Sequence, residues 1–85
     1  MTDPTRPGRP PLPVEELRRA IRQWLEENWV VPDLEPGELE IVRVPPRPGE
    51  PNWLLKGAHD VGVPAAARVI LGQVERWAQE RYDLE

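Results

Sequence analysis

Between Pro13 and Trp29 apolar residues recur at spacings of three and four. Val14, Leu17, Ile21, Trp24, Leu25 and Trp29 form one stripe, and Glu15, Glu16, Arg19, Arg22, Gln23, Glu26 and Glu27 fall on the opposite side. This pattern predicts an amphipathic helix. Pro13 suits its first position, where a missing N–H costs nothing, and the two acidic residues that follow complement the helix dipole. Pro32 disfavours helical geometry in the residue before it and so bounds the run.

The period then shortens. Pro36 and Gly37 suit the centre of a type II turn, and Glu38 to Val44 alternates as a strand until Val42 and Val44 slip phase around Arg43, which predicts a bulge or a strand covered on both faces. The segment "PPRPGEP" (45–51) is a connection too rich in proline for a tight hairpin. Asn52 to His59 predicts a second strand, with Trp53, Leu55, Gly57 and His59 on one face; Gly57 suggests a bulge or a close helix approach. After "HDVGVP", Pro64 opens a second helix whose inner side carries Ala67, Ile70, Leu71, Val74, Trp77, Ala78 and Tyr82, with Arg68, Gln73, Glu75, Arg76, Gln79 and Glu80 outside.

The order helix, strand, strand, helix predicts an α+β fold: a two-layer unit in which two amphipathic helices cover an antiparallel hairpin. Residues 1–12, proline-rich and almost without apolar side chains, are expected to be a flexible tail, and residues 13–85 a single domain. A two-stranded sheet is marginal alone and leaves an edge on each side. Pairing with a second copy would complete it.

Composition narrows the chemistry. The chain has no cysteine and no serine, and its threonines are Thr2 and Thr5, so the expected folded region holds no hydroxyl or thiol nucleophile except the tyrosine phenol. Disulfides and thiolate zinc sites are excluded as well. The net charge of −4 argues against a general binder of phosphate backbone. No apolar run reaches the length of a membrane span and the first residues lack a secretory signal pattern, so a cytoplasmic protein is expected.

Two constellations remain. His59 followed by Asp60 has the residue types of an acid/base pair, but strand neighbours point to opposite faces and there is nothing for the pair to activate. One histidine among scattered carboxylates is no metal site, and no phosphate-binding loop is present, so no cofactor is expected. The four tryptophans lie mainly on apolar stripes and are expected in the core. Trp29 and Trp53, near element ends, are the candidates for a partly exposed anchor. Arg43, Arg47, Lys56 and His59 on or near the hairpin complete the set of candidate partner-binding residues.

The Asn52-Trp53 pair at the strand start and the Arg81-Tyr82-Asp83-Leu84 ending resemble a group of small uncharacterised bacterial proteins of alphaproteobacterial type. The resemblance implies the same α+β fold and brings no activity with it. The expected function is therefore that of a non-enzymatic protein-protein interaction or homodimerising module. The alternative is an accessory nucleic-acid-binding protein that uses a small Arg/Lys/Trp patch on the hairpin.

Overall fold

The computed structural model describes residues 8–45 and 47–85. The first seven residues of the expected tail lie outside that range. The elements are β1 (Pro11–Leu12), α1 (Val14–Asn28), β2 (Ile41–Arg43), β3 (Trp53–Leu55), a short 3-10 helix (Lys56–Ala58), α2 (Ala65–Gln79) and β4 (Asp83–Leu84). The fold is α+β, with two helices and an antiparallel β2–β3 hairpin as expected. Among the described residues, no helix is long and apolar enough to cross a membrane.

Both helices bury the stripe that their spacing predicts. Leu17, Ile21 and Leu25 of α1 meet Ile70, Leu71, Val74 and Ala78 of α2, and Trp53, Leu55, Leu39 and Leu84 complete the core. Helix α2 is the central element, packing on α1, on β3 and on the 3-10 helix. Along the seam between the helices, Trp24 and Trp77 lie 6.3 Å apart, Tyr82 meets Trp77 edge-on at 6.4 Å, and the Arg81 guanidinium stacks 4.9 Å from the Trp77 ring. Such pairs add roughly 0.5–1.5 kcal/mol to what area burial provides.

The hairpin departs from expectation in two ways. Its register runs without a bulge from Glu40 opposite Lys56 to Val44 opposite Asn52, so the slipped alternation has another cause. Ile41 is half-buried on one face, and Val42 and Val44 on the other, so both faces of β2 are partly covered. The second strand is also shorter than expected, because the chain turns into the 3-10 helix after Leu55. A Cβ at Gly57 would stand 3.1 Å from the Leu71 side chain, so the close helix approach, not a bulge, explains that glycine.

The end of the expected tail is paired. Pro11–Leu12 runs parallel to Asp83–Leu84, with Asp83 N–H donating to the Pro10 carbonyl at 3.3 Å and Glu85 N–H to the Leu12 carbonyl at 2.8 Å. Prolines are tolerated here because the ladder takes carbonyls from this strand, and Pro11 faces away from it.

Asn52 ties this pair to the hairpin. Its Nδ2 donates to the Leu84 carbonyl at 2.7 Å, and Leu84 N–H donates to its Oδ1 at 2.8 Å, so one side chain pairs with a backbone as a strand residue would. Trp53 Nε1 donates to the Tyr82 carbonyl at 3.2 Å. Asn52 and Trp53 thus meet Leu84 and Tyr82 in space. Asn52→Ala is expected to lower stability by about 1–3 kcal/mol through these two bonds, measured by urea denaturation.

Candidate functional site

In the antiparallel hairpin, Glu40/Lys56, Val42/Leu54 and Val44/Asn52 are the hydrogen-bonded pairs, as Val44 N–H to Asn52 O (2.9 Å) and Lys56 N–H to Glu40 O (3.0 Å) show. The backbone groups of Ile41 and Arg43 therefore point outward from β2, and those of Trp53 and Leu55 outward from β3. The two edges are treated differently.

The β3 edge is closed by α2. Glu75 Oε2 accepts the Leu55 N–H at 2.8 Å, and Gln79 Nε2 donates to the Trp53 carbonyl at 2.8 Å. The match is metric: two residues along a strand span about 6.6 Å, and four along a helix about 6 Å, so side chains at i and i+4 meet backbone groups at j and j−2. Helix α2 stands in for a third strand. The β2 edge is touched only at its start, where Arg18 Nε of α1 donates to the Leu39 carbonyl at 3.1 Å; no hydrogen bond from a described residue reaches the outward groups of Ile41 or Arg43.

Glu75 is only 8% exposed, which corrects its expected place on the outer side of the helix. It also accepts from His59, whose Nε2 lies 2.7 Å from Oε2. His59 therefore pairs with Glu75 and not with Asp60, whose Oδ1 instead accepts the Gly62 N–H at 2.8 Å within the loop. The pair orients an exposed imidazole, and no hydroxyl or thiol nucleophile borders it among the described residues.

The other candidate residues do not converge. Trp53 is 1% exposed and belongs to the core, which removes it as an anchor for a partner. Trp29 is half-buried at the end of α1, its Nε1 donating to the Leu34 carbonyl at 2.6 Å. Arg43 donates to the Glu85 carbonyl, Lys56 pairs with Glu40 at 3.2 Å, and Arg47 is exposed in the connection. Arg43 and Lys56 sit at opposite ends of the ladder and, by strand alternation, on opposite faces. They do not form one basic patch.

Sequence reasoning missed Glu75, Gln79 and Asn52 as edge-closing residues. A signal existed for Glu75: it stands four residues after Leu71 and three before Ala78, on the buried stripe itself. Among the described residues, no group of three or more metal-ligating side chains comes together. No family model, no curated protein and no solved structure matches this chain.

Proposed function

We propose that this chain is a small non-enzymatic module that pairs with a second copy of itself through the outer edge of β2. The observation that carries this reading is the asymmetry of the hairpin: α2 closes the β3 edge with Glu75 and Gln79, while the outward backbone groups of Ile41 and Arg43 on β2 take no hydrogen bond from the described residues. Natural sheets blunt or cover their edges; here Arg18 of α1 donates to the Leu39 carbonyl at 3.1 Å and Pro45 follows the strand, but between them Ile41 and Arg43 have no bond from a described residue on their outward backbone groups.

The edge is self-complementary. A twofold axis at Val42 puts Ile41 opposite Arg43 of the second copy, and both residues present N–H and C=O to the axis side, which allows four hydrogen bonds. No like charges face one another across it. Val42, Val44 and Leu54 are half-buried on the face away from Trp53, and joining two hairpins would merge those apolar surfaces. The product is a four-stranded sheet with the helices of each copy layered on it, which is the two-layer arrangement that the sequence pattern suggests. The absence of serine, threonine and cysteine from residues 8–85, which leaves the Tyr82 phenol as the one hydroxyl, supports a non-enzymatic role.

Proline at position 43 removes the outward donor without touching a bond inside the hairpin, whereas alanine there removes only the side chain. Size-exclusion chromatography with light scattering is expected to show a dimer for the native chain and for Arg43→Ala, and a folded monomer for Arg43→Pro. A native chain that is monomeric at every concentration, or an Arg43→Pro variant that stays dimeric, would overturn the proposal.

A further inference from the structure

Gly72 occupies the interior of α2, where glycine is unfavourable relative to alanine because of the backbone freedom it loses. Nothing among the described residues asks for it. A Cβ built at Gly72 meets no atom within 4 Å, in contrast to the crowded Gly57. Its φ is not in the left-handed region either. Close approach by something outside the chain is the remaining physical use for a glycine at this position.

The surroundings define the chemistry. Arg68 and Arg76 stand one turn to either side of Gly72 on the same helix face, and neither makes an ion pair with a described residue. The Nε of Arg68 is enclosed without an acceptor. Val69 is 60% exposed beside them. With Gln73 and His59 these residues line a groove of about 720 Å³. Glu80 lies at its far end, and Glu75 is turned inward to the β3 edge. A chain of net charge −4 thus carries a basic, partly apolar groove around a helical glycine.

We infer that the outer face of α2 around Gly72 is a docking surface for an acidic peptide segment of another protein. Carboxylates pair with Arg68 and Arg76, and the missing Cβ lets the segment's backbone approach the helix. A second copy is not the occupant, because apposing this face to itself would bring arginines together. Nor does the overall negative charge favour nucleic acid. This surface goes beyond the β2-edge reading: Glu75 and Gln79 border both, but Arg68, Gly72 and Arg76, which would hold the peptide, take no part in either hairpin edge, so the two fail or stand separately.

The test is selection from a displayed library of random peptides against the full-length chain. Enriched peptides are expected to carry a surplus of Asp and Glu and to bind more weakly at high salt. The double variant Arg68→Glu/Arg76→Glu should lose at least about tenfold in affinity for them, while Arg19→Glu on α1 leaves it unchanged. Gly72→Ala separates binding from folding: the melting temperature should rise by roughly 2–8 °C, while peptide affinity falls by about tenfold or more. Failure to enrich any peptide, enrichment without acidic bias, or unchanged affinity in Gly72→Ala would overturn the inference. Displacement of the selected peptides by oligothymidylate at equal concentration would overturn it in favour of nucleic acid.

Discussion

Replacing Trp53 by alanine is expected to lower the unfolding free energy by about 3–5 kcal/mol. The side chain is 1% exposed among Leu17, Ile21, Val74 and their neighbours, so the loss combines transfer of a large apolar surface with the cavity left behind. A domain of this size has a total stability of roughly 4–13 kcal/mol, so the change removes a large share of it. Urea denaturation followed by circular dichroism should show a lower midpoint with little change in slope. Protein concentration must be held fixed, since the proposed pairing of two copies would contribute to apparent stability. Trp53→Phe keeps most of the ring volume and loses the bond from Nε1 to Tyr82, so its cost should be smaller, about 1–3 kcal/mol. A Trp53→Ala chain within about 1 kcal/mol of the native one would contradict the core assignment.

The helices were legible because their information is local. A stripe at spacings of three and four, a proline at each start and a proline beyond the first helix define α1 and α2 with little help from the rest of the chain. The hairpin was legible as two apolar runs, but its limits were not. The second strand stops at Leu55, where the chain turns into the 3-10 helix that packs on α2, a helix that follows later in the chain. The β1–β4 pair was beyond reach for a different reason: two residues carry no periodicity, and their partners lie at opposite ends of the sequence. Local patterns do not encode such a contact.

The candidate site was less legible than the fold. Polarity alone placed Glu75 outside, although its position on the helix placed it inside; what allows a carboxylate there is the Leu55 N–H, 20 residues away in sequence. The same holds for Asn52, which reads as a strand residue until Leu84 is seen beside it. Trp53 was weighed as core or anchor, and only burial decides between them. Arg43, Arg47 and Lys56 form a basic group in the sequence, yet strand alternation and the hairpin's length separate Arg43 from Lys56. The proposed function rests on the hairpin's edges, and an edge is defined by its neighbours.

Glu75 is where stability and the proposed assembly meet, and Glu75→Ala is expected to cost about 2–3 kcal/mol. The figure reflects a charged acceptor lost from a buried backbone N–H, which alanine leaves unpaired. The contact with His59 adds little, because that ring is 57% exposed at its side chain; His59→Ala should cost less than about 1 kcal/mol. Glu75→Gln retains an acceptor for Leu55 and should fall between the two. Amide hydrogen exchange at Leu55 reads the bond directly: protection is expected in the native chain and in Glu75→Gln, and lost in Glu75→Ala. A second consequence separates an edge brace from an ordinary buried contact. With Glu75 gone, the sheet has an open edge on β3 as well as on β2, and chains that pair through both edges grow past a closed dimer. Light scattering of folded Glu75→Ala should therefore show species larger than the dimer that increase with concentration, and combining it with Arg43→Pro should cap growth at one pairing. A Glu75→Ala chain that stays a plain dimer would mean that Gln79 and the packing of α2 keep the β3 edge closed unaided.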